Sequence, residues 1–260
     1  MIYDKEIDFS CKNTVTIMID AIKEKMKILE FGPASGRLTR YLKNEKNCEV
    51  FIVEIDEESG KIASKYAKNA LIGKIEGDIE KYIWLEKFSQ DKFDYIIFAD
   101  VLEHLIDPKT VLLKSKKLLK DDGILLISIP NICHNSVIID MIKGRFNYQD
   151  TGILDRTHMH FWTQESFESM IESLGLYKSK KTATYTQVGY NEFDSKYEDM
   201  FPQGPFILKS RNEGECYQFI YEIKKYKTLC ENDMEEFQNY YFTQWFFLMD
   251  DDYNAEYSGM

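Results

Sequence analysis

One ten-residue run sets the architecture of this chain: Lys27-Ile28-Leu29-Glu30-Phe31-Gly32-Pro33-Ala34-Ser35-Gly36. It predicts a short buried strand that runs directly into a turn of small residues, and helix formers follow from Arg37 to Leu42. In an open α/β sheet, such a turn presents backbone N–H groups and a helix N-terminus to a nucleotide-like ligand. Glu54 ends the next strand-like run, eighteen residues past Gly36, where a carboxylate accepts the hydroxyl protons of a ribose. The turn and the acid together indicate an adenosine-type cofactor.

Strand-like and helix-like patterns alternate around this run. Residues 14–26 have apolar residues at helical spacing and predict a lead-in helix. The alternation predicts an α/β fold with a Rossmann-like, doubly wound sheet, mostly parallel, with helices on both faces. We expect Asp121-Asp122-Gly123 to form a turn between the last of these helices and the strand after it. The predicted strands are 27–31, 49–54, 70–74, 93–99 and 123–129, and the predicted helices are 37–45, 57–68, 79–87 and 108–120.

The pattern changes after Pro130. Residues 131–162 match no clean period and are rich in histidine, asparagine, glycine and aromatic residues, so we interpret them as an insertion on the substrate side. A second irregular stretch, 188–214, is interpreted in the same way. Between and after these insertions we predict a helix from Thr163 (N-cap) to Leu174 with Gly175 as C-cap, a strand over about 176–187, and a final strand over 216–223.

Two domain-level predictions follow from this order. The sheet is complete by residue 224, so we assign 1–228 to one domain and 229–260 to an acidic, aromatic C-terminal extension. Disordered segments contain few aromatic residues, so this composition argues against disorder. We therefore expect the extension to form a helix that packs on the domain, or on a second subunit in a homo-oligomer.

Composition narrows the class of protein. A length of 260 residues suits one large α/β domain with insertions, and a net charge of −11 argues against a nucleic-acid partner. No apolar run approaches the roughly 18 residues that a membrane span requires, and the N-terminus lacks a signal-peptide pattern. The five cysteines are scattered and odd in number, which predicts neither a zinc site nor a disulfide framework. We therefore expect a cytoplasmic protein with reduced thiols.

Four motifs in order resemble the class I S-adenosylmethionine-dependent methyltransferases. The pattern E-x-G-x-x-x-G matches residues 30–36, Glu54 matches the acid after the second strand, Asp78 follows the third strand, and D-x-L-E-H matches residues 100–104. The resemblance implies a seven-stranded sheet with an antiparallel last strand. It also implies S-adenosyl-L-methionine as cofactor, held by Glu30, Gly32, Ala34, Gly36, Glu54, Asp78, Asp100 and His104. This chain departs from the pattern at Ala34, where a glycine is common.

A nicotinamide dinucleotide is the alternative cofactor. Its G-x-G-x-x-G fingerprint would place Gly32, Ala34 and Arg37 at the three glycine positions. Arginine at the third position would keep the helix and the strand apart.

The histidines point to the reaction. All four lie between the fourth strand and the helix at 163, and residues 144–163 resemble an insertion, G-I-L-D-x-T-H-x-H-F, of a bacterial branch of these enzymes. That branch is often linked to glycan or glycoconjugate synthesis, so we expect methylation of a hydroxyl on a small molecule or glycan. A hydroxyl must lose its proton, and imidazole suits that task. We predict His158 or His160 as the base, with Asp155 orienting a ring.

Other interpretations of these residues stay open. Asp155, His158 and His160 could instead hold a divalent metal, but we predict no metal site because no second carboxylate lies nearby in the sequence. Asp155 could also pair with Arg156 and fix the insertion, leaving a histidine in passive contact with substrate. At the level of function, the alternatives are N-methylation, or a non-catalytic module that binds the cofactor without turnover.

Overall fold

The computed structural model describes residues 6–227, which build a sheet covered by helices. Each strand forms where the sequence has a short apolar run bounded by turn residues or by a helix end. The strands are β1 (Lys27–Phe31), β2 (Glu49–Glu54), β3 (Asn69–Ile72), β4 (Phe93–Ala99), β5 (Leu119–Pro130), β6 (Tyr177–Tyr185) and β7 (Cys216–Lys224).

The sheet has the order β3-β2-β1-β4-β5-β7-β6. Strands β3, β2, β1, β4 and β5 pair in parallel, whereas β7 is antiparallel to both β5 and β6. The predicted seven-stranded sheet with an antiparallel last strand is therefore confirmed. The chain moves from β1 outward to β2 and β3 and then returns to β4 on the other side of β1. This reversal makes the crevice beyond β1 and β4 the usual place for a ligand.

The helices of the described residues are short. None of them combines the length and the apolar character that crossing a bilayer requires. Short 3₁₀ turns cover Ser64–Tyr66, Ile79–Lys81, Leu102–His104 and Tyr197–Asp199. The helices are α1 (Thr14–Ala21), α2 (Arg37–Asn44), α3 (Glu57–Ala63), α4 (Gly73–Glu76), α5 (Ile83–Lys87), α6 (Pro108–Leu118), α7 (Asn135–Ile142), α8 (Gln164–Ser173) and α9 (Gly204–Lys209).

The central strands are buried on both faces because successive side chains enter two different cores. Leu29 and Phe98 belong to the larger core, which also contains Trp84 and Phe167. Ile28 lies on the opposite face, together with Val50, Ile97 and Met18 of α1. This double burial explains why β1, β2 and β4 are nearly continuous apolar runs rather than alternating ones.

Several expected bounds in the first half are wrong in detail. The helix expected over 57–68 ends at Ala63 and is followed by a 3₁₀ turn, the helix expected over 79–87 is a 3₁₀ turn followed by α5, and the strand expected over 70–74 ends at Ile72. The lead-in helix ends at Ala21 and not at residue 26, because Ile22 is extended (φ −91°, ψ 128°). Asp121-Asp122-Gly123 is not a turn but part of β5. The β4–β5 register shifts between the Phe93–Leu119 and Tyr95–Ile124 pairs, so the exposed acidic pair lies in an irregular part of the ladder.

The insertions contain more regular structure than their sequences indicate. Helix α7 lies within 131–162 and α9 within 188–214. The predicted helix after the first insertion is confirmed, with Thr163 as N-cap, although Leu174 is its C-cap and Gly175 (φ +61°) follows it. The extension 229–260 lies outside the described residues, so its proposed helix and its role in assembly stay predictions.

Candidate active site at the carboxyl edge of the sheet

The predicted cofactor residues gather at one edge of the sheet. The glycine turn follows β1, Glu54 ends β2, and Asp100 follows β4. Asp78 comes after β3 and α4, at the start of a 3₁₀ turn. Since these four strands are parallel neighbours, their carboxyl ends meet at the same edge. That edge is where doubly wound proteins bind nucleotide cofactors.

The turn after β1 requires a left-handed backbone at three positions. Gly32, Ala34 and Gly36 have φ values of +63°, +49° and +80°. A Cβ on Gly36 would lie 2.7 Å from the Cα of Ala63, so α3 packs directly against the turn. Ala34 takes the left-handed conformation despite its Cβ, which explains why glycine is the more common residue at this position.

Two buried glutamates hold this turn. Glu54 accepts hydrogen bonds from the backbone N–H groups of Ala34 and Asp56, each at 2.8 Å, and burial raises its pKa. Glu30 accepts a hydrogen bond of 2.7 Å from the Thr39 hydroxyl, and burial raises its pKa to about 7. Glu54 therefore ties β2 to the turn, while Glu30 ties β1 to the first helical turn of α2.

The two predicted aspartates differ in their attachment. The carboxylate of Asp100 accepts hydrogen bonds from Ser128 Oγ at 2.6 Å and Gln218 Nε2 at 2.9 Å, which connect it to β5 and β7. Asp78 accepts a hydrogen bond of 3.0 Å from the backbone of Glu80. Each carboxylate oxygen can accept more than one hydrogen bond, so these contacts leave acceptor capacity for a ligand.

The insertion packs on the D-x-L-E-H turn. The Glu103 carbonyl accepts hydrogen bonds from the backbone N–H groups of Met159 at 2.7 Å and His160 at 3.2 Å. The Thr157 hydroxyl lies 3.0 Å from His104 Nδ1, and the rings of His104 and His158 have centroids 4.7 Å apart. His104 and His158, 54 positions apart in sequence, therefore share one site.

The predicted base candidates have different surroundings. His158 is half-buried and donates Nδ1–H to the Ile153 carbonyl at 3.1 Å, which leaves its Nε2 lone pair unused by this bond. Burial lowers the pKa of His158, and the neighbouring His104 lowers it further. His160 stacks on Trp162, with ring centroids 5.4 Å apart, and its Nε2 lies 3.3 Å from the Ile106 carbonyl.

Asp155 is attached to Thr157 and through it to His104. The carboxylate accepts from the Thr157 backbone N–H at 2.8 Å and from the Thr157 hydroxyl at 2.6 Å. Burial raises the pKa of Asp155, but these two hydrogen bonds and the charges of His158 and His104 outweigh that effect and lower the pKa overall. The structure thus gives Asp155 an indirect contact with His104, where the sequence suggested an orienting role for one of the later histidines.

His134 is the one histidine of the four with a clear structural role. Its Nδ1 accepts a hydrogen bond from the Ser136 backbone, which caps α7, and its Nε2 lies 2.8 Å from the Thr186 carbonyl. The ring is completely buried.

Glu103 is a candidate site residue that sequence reasoning did not assign. Its side chain is 1% exposed, and neither carboxylate oxygen has a hydrogen-bond partner among the described residues. Burial raises its pKa well above the usual range, and the charges of Asp100 and Asp155 add to the effect. Its place in the D-x-L-E-H motif was the available signal, because that motif lies where a strand end meets the ligand.

An aromatic cluster adjoins His158. The Phe161 ring lies with its centroid 6.1 Å from that of His158 and 5.8 Å from that of Phe146, and Phe146 contacts Tyr148 at 5.6 Å. Phe146 is 42% and Tyr148 is 54% exposed. The described structure therefore leaves an aromatic surface open to solvent beside His104 and His158.

Comparison with known proteins identifies the family. Residues 3–180 match the family model described as a methyltransferase domain. The chain is 30% identical over 174 residues to the bovine (Bos taurus) mitochondrial ubiquinone biosynthesis O-methyltransferase; the match covers 65% of this chain and 45% of that protein. The chain thus spans less than half of that relative's length.

Solved structures show the same fold. An S-adenosylmethionine-dependent methyltransferase from Archaeoglobus fulgidus aligns with a TM-score of 0.56 at 18% identity, over 81% of this chain and 91% of that chain. One from Thermotoga maritima aligns with a TM-score of 0.52 at 14% identity, over 82% and 87% of the two chains. The matched family model covers more than half of the chain, and the solved structures share its fold: this chain belongs to the methyltransferase domain family.

Proposed function

We propose that this enzyme transfers the methyl group of S-adenosylmethionine to a hydroxyl oxygen of a small molecule or glycan. The observation that carries the proposal is the contact between the D-x-L-E-H turn and the insertion. It brings His158, His104 and Glu103 together beside the carboxyl end of β4. The acceptor would lie between this cluster and the methyl donor.

For the donor, we propose the residues that the sequence motifs indicate. Glu54 would accept the ribose hydroxyls and Asp78 the adenine amine, while the turn from Gly32 to Gly36 would approach the cofactor with its backbone. Asp100 and His104 would lie near the methionine part. The common position of these residues at one sheet edge supports this arrangement.

The chemistry requires alignment and removal of a proton. The acceptor oxygen attacks the methyl carbon, the carbon–sulfur bond breaks, and its electron pair stays on sulfur. Alignment of the acceptor oxygen with the methyl group, in a site that excludes water, supplies much of the rate acceleration. We propose that a histidine of the insertion takes the hydroxyl proton, with His158 as first candidate because its Nδ1–H is engaged and its Nε2 carries the lone pair. His160 is the second candidate.

Two observations support the class of acceptor. The exposed rings of Phe146 and Tyr148, beside Phe161, offer flat apolar surfaces on which a sugar or an aromatic ring can stack. The bovine relative is named as an O-methyltransferase, which favours oxygen over nitrogen as the acceptor atom.

Calorimetry with S-adenosylhomocysteine tests the donor site. We expect one molecule to bind per chain and Glu54→Gln to weaken binding by roughly tenfold, the loss of about one hydrogen bond to a charged group. Glu57→Gln is the matched control, because Glu57 is an acid three residues later whose side chain is 66% exposed. If the wild-type chain fails to bind, the donor assignment is wrong.

Product analysis tests the acceptor. The enzyme is incubated with S-adenosylmethionine and a panel of sugars, phenols and amines, and methylated products are identified by mass spectrometry and NMR. We expect O-methyl products and a loss of roughly 10²–10⁴-fold in turnover for the base variant among His158→Ala and His160→Ala. Exclusive N-methyl products would contradict the proposal, and unchanged turnover in both variants would remove the base assignment. Binding without any turnover would favour the non-catalytic module.

A further inference from the structure

We propose that Glu103, His104 and His158 form a binding site for one divalent metal cation such as Zn²⁺, Co²⁺ or Mn²⁺. One ligand atom from each of the three side chains lies within 4.8 Å of the others. Binding itself is independent of the proposed function, whereas the catalytic role given below rests on it.

The first argument is the unpartnered carboxylate. Only 1% of the Glu103 surface is exposed, yet neither carboxylate oxygen has a hydrogen-bond partner among residues 6–227. A buried carboxylate without a partner is costly. A cation between Glu103 and the two imidazoles would compensate both oxygens and their charge.

The second argument is the orientation of the imidazoles. The Thr157 hydroxyl donates to Asp155, so it accepts from His104 Nδ1–H, while His158 Nδ1–H donates to the Ile153 carbonyl. Each ring therefore has Nε2 as the nitrogen with a free lone pair. Metal-binding histidines are oriented in this way, by an oxygen acceptor on the nitrogen that does not bind the metal.

The ligand set indicates the class of cation. Two imidazoles and one carboxylate suit Zn²⁺ and the neighbouring divalent transition metals, whereas Mg²⁺ prefers oxygen ligands alone. Ligand atoms about 2.1 Å from one ion lie roughly 3.0–3.4 Å apart, so a small movement of the side chains would close the cluster around a cation. Three ligands would leave an open position for the acceptor.

An acceptor hydroxyl in the open position would lose its proton more readily, because a bound cation stabilises the oxygen anion. The proton would go to water, the oxygen would attack the methyl carbon, and the electron pair of the carbon–sulfur bond would stay on sulfur. With the cation bound, the His158 lone pair would serve as a ligand and would no longer accept the proton.

Cobalt binding tests the site directly. The full chain is treated with a chelator, dialysed and titrated with Co²⁺, and the titration is followed by calorimetry and visible absorption. We expect one Co²⁺ per chain, with affinity reduced at least tenfold in Glu103→Gln and in His158→Ala. Thr157→Val should reduce affinity about 10–100-fold through the orientation of His104. His160→Ala is the control for binding, since His160 lies on the same segment but outside the cluster.

S-adenosylhomocysteine affinity and melting temperature show that each variant is folded, and His158→Ala serves if Glu103→Gln does not fold. Absence of Co²⁺ binding, or equal affinity in all these variants, overturns the site. A chelated enzyme that methylates a hydroxyl at the full rate overturns the catalytic role but leaves the proposed function intact. Cation binding in an enzyme that methylates only amines would contradict the proposed function and not the site.

Discussion

At the scale of single residues, buried carboxyl groups define this edge of the sheet. Glu30, Glu54 and Glu103 are each at least nine-tenths buried, and burial raises the pKa of all three. Their partners differ: a threonine hydroxyl for Glu30, two backbone N–H groups for Glu54, and none among the described residues for Glu103. Glu30 and Glu54 therefore hold the turn, and Glu54 is also the proposed ribose ligand, whereas Glu103 has no such contact among the described residues.

Glu30 predicts a pH dependence of stability. The pKa of Glu30 is about 7 in the folded chain, against 4.5 for a glutamate in the unfolded chain. Between these pH values the folded chain therefore binds more protons than the unfolded chain. The contribution of Glu30 to the free energy of unfolding is therefore fully present below pH 4.5 and is lost as pH rises through 7. The loss is about 3 kcal/mol at 1.36 kcal/mol per pKa unit.

We expect Glu30→Gln, which can still accept the Thr39 hydrogen bond, to be more stable than the wild type at pH 8 and similar to it at pH 4.5. Urea denaturation at the two pH values measures the difference. Glu57→Gln, at an exposed acid, is the control variant and is measured in the same way. Parallel pH profiles for wild type and Glu30→Gln would show that Glu30 ionises normally.

At the scale of secondary-structure elements, the glycine turn depends on close packing as well as on backbone conformation. Gly36 and Gly144 both have positive φ, +80° and +73°, but only Gly36 has α3 against it. A Cβ at Gly36 would lie 2.7 Å from the Cα of Ala63, whereas nothing lies within 4 Å of a Cβ at Gly144.

Alanine at these two positions separates the two effects. We expect Gly144→Ala to cost about 1–2 kcal/mol, from the left-handed conformation alone. Gly36→Ala should cost a further 1–3 kcal/mol or so, because the added methyl displaces α3, and it should also weaken S-adenosylhomocysteine binding. Urea denaturation and calorimetry measure both. Equal destabilisation by the two variants would mean that the contact with Ala63 is not tight.

The bounds of the secondary-structure elements are predictable from the sequence for the buried strands and less so for the first helix. The predicted bounds of β1, β2 and β4 coincide with those observed, because each is a nearly continuous apolar run with turn residues around it. The sequence pattern predicts too long a lead-in helix because Ile22 and Met26 keep helical spacing. Yet they pack on the core from a loop in which Lys25 has φ +59°.

The site was predictable only where residues follow the strand ends. Glu54 and Asp100 lie at the expected edge because the sheet order dictates it. The meeting of Glu103 with His158 depends on how the insertion folds back over the turn, through Met159 and Thr157. No local pattern encodes that contact, so the sequence did not bring a carboxylate to the histidines.

At the scale of the whole molecule, the last strand closes the site. Gln218 of β7 donates to Asp100 across 118 positions of sequence and also contacts Thr14 at the start of α1. The start of α1 and strand β7 therefore meet beside the proposed cofactor-binding edge. The seven strands found among residues 6–227 are complete at Lys224, so a chain that stops at residue 228 keeps every contact described above.

Truncation after residue 228 tests the proposed role of the extension in assembly. Residues 229–260 contain Phe237, Tyr240, Tyr241, Phe242, Trp245, Phe246 and Phe247, a density of aromatic side chains that favours burial against another surface. We expect light scattering to give a homo-oligomer for the full chain and a monomer for the truncated one. S-adenosylhomocysteine affinity should be equal in both, because the proposed cofactor residues lie within the retained domain. Equal size for the two chains would remove the extension from assembly, and loss of cofactor binding on truncation would show that the extension contributes to the site itself.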